Sequence, residues 1–149
     1  SLTLLSSTGR ALQNEDLQQR RVLLGAIKNK QYKGMTQSHI EFMLHSKNQA
    51  NSAITGMIKD MADDLGPAVL LAQTNATVNR KDLCKKLSKQ TFKTHFVIGE
   101  QDNIATVSDI NGITASANAL LIEIIVDAGH MLPLEQTDAL ANYLHFTLQ

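Results

Sequence analysis

The stretch that most constrains the fold is Leu120-Leu121-Ile122-Glu123-Ile124-Ile125-Val126, an almost unbroken apolar run. A strand with one wet face alternates, whereas a run like this fits a parallel strand covered on both faces. Phe96-Val97-Ile98 is a second β-rich run, halted by Gly99. Residues 2–7 read as a third, short strand that ends in the turn cluster Ser6-Ser7-Thr8-Gly9. Helical patterns separate all three.

Asn14 is placed to cap a helix whose first turn holds Glu15 and Asp16, with Leu17, Val22, Leu23, Ala26 and Ile27 as its apolar residues. Ser38 and Glu41 make a capping box ahead of Ile40, Met43 and Leu44. Ile54, Met57, Ile58, Met61 and Leu65 recur at helical spacing, Gly66 is a natural stop, and Pro67 can open the next helix over residues 68–76. Thr106 and Asp109 can start a short helix. A last amphipathic helix is expected from about Leu134, with Leu140, Tyr143, Leu144 and Leu148 on one stripe.

Strands joined through helices imply an α/β fold with a parallel sheet. The expected organisation is a core strand at residues 1–9, a helical insertion with its connection at 10–90, and a core segment at 91–149. Three strands leave an open edge, which points to absent strands or to pairing with another chain.

With 14 basic and 14 acidic side chains, the chain has no net charge to attract nucleic acid or an anionic membrane. Arg80-Lys81 and Lys85-Lys86 read as a solvated face. No run reaches the roughly 18 apolar residues of a membrane span, and the start lacks the basic region of a secretory leader. The chain begins without Met, with an apolar β-like segment at its first residues, which suggests that something upstream is missing. A single cysteine, Cys84, fits a reducing, cytoplasmic setting. Two nearby lysines could lower its pKa, but the spacing of Leu83 and Leu87 favours a packing role.

Asp102 and His130 stand in loops after successive strands. At the C-terminal edge of a parallel sheet, an acid can hold the Nδ1–H of a histidine and leave Nε2 to move a proton. Taken alone, Asp102 reads as a turn residue and His130 as a loop residue. Their order, with Leu134-Glu135 following, makes the pair more specific than either part. Glu100 and Asp109 compete for the acid role but suit solvated loop and helix-start positions. His39, His45, His95 and His145 read as packing or surface residues. No cysteine–histidine cluster supports a metal, and no cofactor is expected. No Gly-x-Ser-x-Gly elbow occurs, so no nucleophile is visible.

The segments Val97-Ile98-Gly99-Glu100-Gln101-Asp102-Asn103 and Ala128-Gly129-His130-Met131-Leu132-Pro133-Leu134-Glu135-Gln136 resemble the α/β-hydrolase superfamily. The likeness is to small esterases and lactonases such as the 3-oxoadipate enol-lactone hydrolases. A weaker match runs from Met61-Ala62-Asp63-Asp64-Leu65-Gly66-Pro67 through Gln73, Ala76, Arg80 and Asp82. The resemblance implies the C-terminal half of such a protein, with residues 10–90 mainly a lid. It implies Asp102 as triad acid, His130 as general base, and a nucleophile and oxyanion-hole segment ahead of Ser1. It further implies a small-molecule acyl substrate and, for the chain by itself, no activity. Lys93 and Ile104-Ala105-Thr106 depart from the family's usual prolines, which bears on loop stiffness rather than on the pair. A non-catalytic domain that pairs through its sheet edge, with the missing half or with a second copy, is the alternative.

Overall fold

The computed structural model describes residues 1–114 and 120–147. Strands β1 (Leu2–Leu5), β2 (Thr94–Gly99) and β3 (Leu120–Ile125) form a parallel sheet in that order. Leu2 lies opposite Thr94, Thr94 opposite Leu120, and Gly99 opposite Ile125. β2 and β3 therefore end level, and the loops that leave them emerge side by side.

Helices α1 (Asn14–Lys28), α2 (Gln37–Met43), α3 (Ser52–Val78) and α4 (Cys84–Leu87) lie between β1 and β2. α5 (Val107–Thr114) precedes β3, and α6 (Leu132–Glu135) and α7 (Thr137–Thr147) follow it. The expected last helix is thus two pieces that meet at Gln136. Its stripe packs through Leu140, Tyr143 and Leu144; Leu148 lies outside the described residues.

Alternation along β2 builds two cores. Phe96 and Ile98 join Ala105, Ile110, Ile113 and Leu120 on one face. Val97 joins Ile125, Ala128, Leu132 and Leu140 on the other. All six β2 residues are buried, as a central parallel strand requires. β3 does not meet the same expectation: Leu121 is 47% and Ile124 43% exposed. Among the described strands it lies at an edge of the sheet, and α5 and α7 pack against part of it. A third core of Ile40, Met43, Leu44 and Ile58 links α2 and α3 to Met131 and Leu134, beyond the sheet.

Three helix starts show how local chemistry was resolved. The N-cap of α1 is Gln13 rather than Asn14, and it makes no side-chain cap bond. Asn14 already lies inside the helix, with Glu15 and Asp16 in the acidic first turn. At α2 the cap is Thr36, whose Oγ1 accepts the His39 N–H at 3.3 Å, so Ser38 sits within the first turn instead of capping it. Asn51 caps α3 by accepting from Ala53 and Ile54. Gly66, at φ 68° and ψ 178°, breaks α3 into two helical segments, and Pro67 opens the second. That left-handed φ is strained for any residue with a Cβ.

Candidate active site

The turn after β2 is stitched to the turn after β3. Glu100 N–H donates to the Ile125 carbonyl at 2.9 Å, and Gln101 N–H to that of Ala128 at 3.0 Å. The fit leaves no room for side chains. A Cβ added at Gly99 would come within 2.1 Å of the Gly129 oxygen, and one at Gly129 within 2.6 Å of the His45 nitrogen and 2.7 Å of the Met43 oxygen. The β2 turn, the His130 loop and the end of α2 are therefore stacked main chain on main chain.

This stacking sets Asp102 against His130. The Asp102 carboxylate is fully buried, at 0% side-chain exposure. Its Oδ1 accepts the N–H groups of Ile104 and Ala105, both at 2.8 Å. His130 Nδ1 lies 3.0 Å from Oδ2 and 3.1 Å from Oδ1. Burial by itself would push the Asp102 carboxyl up. The His130 hydrogen bond, the Ala105 N–H, the charge of His130 whenever its ring is protonated and the Ile104 N–H outweigh it and hold the carboxyl below the usual range. An ionised Asp102 makes Nδ1 the protonated nitrogen and gives Nε2 the lone pair. His130 keeps a quarter of its side chain exposed, and Nε2 has no hydrogen-bond partner among the described residues. Its backbone N–H donates to the Met43 carbonyl at 2.7 Å.

Glu135 supports this loop, a role that its sequence position did not disclose. Oε1 accepts the N–H groups of Gly129 (2.9 Å) and Met131 (3.2 Å), the two neighbours of His130. Oε2 accepts from His45 N–H (2.8 Å) and Asn48 Nδ2 (2.9 Å). One carboxylate thus ties the histidine loop to the segment after α2. The available signal is a Glu five residues past the His, in the first helical turn after its loop, but the partners at 45–48 are too distant in sequence to be read.

The competing groups are engaged elsewhere. Asp109 pairs with Arg10 at the start of α5. Glu100 accepts the Asp127 N–H at 3.3 Å. His39 stacks on Phe42, His145 lies beside Phe146, and His95 Nδ1 is 2.9 Å from the Tyr143 hydroxyl. Burial and a hydrogen bond to Asp82 push the Cys84 thiol up to about 11, opposite to the lowering that its lysines suggested, so it stays protonated and unreactive.

Among the described residues, one group could offer metal ligands: His45, Glu100 and Asp127, with ligand atoms within 4.8 Å of one another. Its chemistry fits an ion cluster better. Lys47 Nζ already sits 2.5 Å from Asp127 Oδ1 and holds that carboxyl below its ordinary range. His45 Nδ1 accepts the Lys47 N–H at 3.1 Å, which puts the neutral ring's proton on Nε2, the nitrogen facing the carboxylates.

Below the histidine loop, α2 and α3 wall an apolar cleft of about 170 Å³ that includes Met43 and Met131. No described helix is long and apolar enough to cross a membrane.

A small all-parallel sheet with an acid and a histidine in its last two strand-end loops, beside a helical layer, is the C-terminal part of an α/β-hydrolase fold. Among solved structures, the chain is similar to a thermophilic esterase from Thermogutta terrifontis (TM-score 0.86, 19% identity), covering 99% of this chain and 54% of that one. It is also similar to an enol-lactonase from Burkholderia xenovorans (TM-score 0.80, 14% identity; 98% and 55% covered). A hydrolase from Pseudomonas aeruginosa matches at TM-score 0.77 and 17% identity, with 97% and 54% covered. The chain thus spans about half the length of these proteins. The enol-lactonase is one of several such neighbours, so the likeness extends to the fold and not to that subgroup. No protein-family model and no curated protein matches the sequence.

Proposed function

We propose that these residues supply the acid and the histidine of a Ser-His-Asp triad that hydrolyses an ester, lactone or related acyl bond, with the serine coming from a segment outside them. The observation that carries this reading is the fully buried Asp102 carboxylate bonded to His130 Nδ1 at adjacent strand ends. In the first half-reaction, Nε2 takes the proton of the serine hydroxyl as its oxygen attacks the acyl carbon. The imidazolium formed is held by Asp102 and returns the proton to the leaving oxygen. Water then repeats the sequence on the acyl-enzyme, again with Nε2 as base. In this reading residues 10–90 act as a lid, and the segment carrying the serine pairs with the open edge of β1.

Fluorophosphonate labelling, mapped by peptide mass, tests this. The expected label falls on a serine outside residues 1–149 in material that contains the pairing segment, and the isolated chain is expected to take none and to turn over no ester. A label within residues 1–149, or ester turnover by the isolated chain that His130→Ala abolishes, would sink the reading. Pairing with a second copy of the chain is the competing use of the β1 edge, and solution mass separates the two. A cytoplasmic location fits the single protonated thiol, and cell fractionation checks it.

A further inference from the structure

We propose that the cleft between α2 and α3 is the acyl subsite of this hydrolase and selects a neutral acyl group of about six carbons over one bearing a second carboxylate. The inference rests on the hydrolase reading for the word acyl, and on the cleft itself for the rest.

Position comes first. Met43 and Met131 line the cleft. Met43 also accepts the His130 N–H through its carbonyl, and Met131 is the next residue after His130. An acyl chain seated here would place its carbonyl end toward the histidine loop.

Chemistry comes second. Four of the five methionines of the chain, Met35, Met43, Met61 and Met131, face this one space, with Tyr32 and Leu65 beside them. Thioether side chains are apolar and adaptable, suited to a flexible alkyl chain. None of the described lining residues carries a charge. Burial pushes the Tyr32 phenol up, and the neighbouring Asp63 carboxylate adds to the push, so the charge nearest that end of the cleft is negative. Among the described lining residues no cation is placed to meet a ligand carboxylate, which would be desolvated on entering.

Size comes third. The cleft measures about 170 Å³, and an apolar cavity of about 150 Å³ accommodates a benzene-sized guest. A chain of about six carbons fills it.

The test is binding and needs no turnover. With [methyl-¹³C]methionine in the protein, methyl resonances are followed during titration with methyl hexanoate and with monomethyl adipate, a similar ester carrying one extra carboxylate. Expected are saturable shifts at Met35, Met43, Met61 and Met131, none at Met57, which is half exposed and outside the cleft, and binding of the adipate half-ester weaker by on the order of tenfold or more. Equal or tighter binding of the adipate half-ester, or shifts that include Met57 and spare the other four, would overturn the proposal. Met61→Lys is the second arm: Met61 is 43% exposed, so the fold tolerates the change, and a cation there is expected to erase the discrimination. Unchanged discrimination in that variant would also overturn it. Phosphonate labelling reports on the triad alone, so a dead triad with a selective cleft and a live triad with an unselective cleft give different results.

Discussion

The segment from β2 to the His130 loop and the helical segment from α1 to α3 are built on opposite plans. β2 is buried along its whole length and its following turn is locked to the next by main-chain bonds. α1 has no buried residue, and α3, with its two segments, buries only Ile58 and Thr74. The first region packs main chain directly on main chain. The second presents a face and encloses space. A proton-transfer pair needs the first kind of scaffold, and a cleft for a flexible chain can be made by the second.

The contrast can be broken most severely at the pair itself. Under the proposed triad, Asp102→Asn in the protein with its upstream segment is expected to lower ester turnover on the order of 10⁴-fold while leaving the apolar cleft intact, because the amide fixes the wrong tautomer of His130. Ester turnover, with methyl hexanoate binding as the control, checks this. A loss under tenfold would remove Asp102 from the triad.

Glycine substitutions compare the two regions directly. Gly129→Ala drives a Cβ into the backbone at 43–45 and is expected to cost about 1–3 kcal/mol as overpacking. Gly25→Ala and Gly56→Ala meet nothing within 4 Å in helices α1 and α3 and are expected to gain about 0.5–1 kcal/mol. Urea unfolding of the three variants checks the opposite signs; the same sign at all three would erase the distinction. A smaller loss, about 1 kcal/mol, is expected for Asn51→Ala, which removes the α3 cap.

The acid limb of stability sharpens the comparison last. The Asp102 carboxyl is held below its unfolded value of about 3.9. In that window the unfolded chain binds more protons, so stability rises with pH, is fully present above the unfolded value, and is lost as pH falls through the folded one. Asp102→Asn is expected to flatten this limb in urea titrations run from about pH 2 to 6, bracketing that value.

What could be read beforehand followed the same division. The halted run at Phe96-Val97-Ile98-Gly99 and the loops with Asp102 and His130 were legible, because a buried parallel strand needs contiguous apolar residues and its C-terminal end gathers polar chemistry. The break at Gly66-Pro67 was legible from backbone geometry alone. Exposure of Leu121 and Ile124 was not, since an apolar run says nothing about whether a strand lies at the edge. The α2 cap fell to Thr36, two residues before the Ser38 that the capping-box pattern pointed to, because the helix already begins at Gln37. The Glu135 and His45 environments depend on segments some ninety residues apart in the chain, beyond any local pattern.

The stack of Gly99, Gly129 and the end of α2 has a consequence for changing this protein. Three main-chain layers in contact behave like machined parts with no shim between them: a displacement in one is handed on whole to the next, since no rotamer stands between them to absorb it. The main chain of His130 is tied to that stack through the Met43 carbonyl. Cleft redesign therefore belongs at Met35, Met61 or Leu65, whose backbones stand outside it. A change of side chain at Met43, whose carbonyl accepts the His130 N–H, is expected to be felt in the cleft and in the histidine loop together.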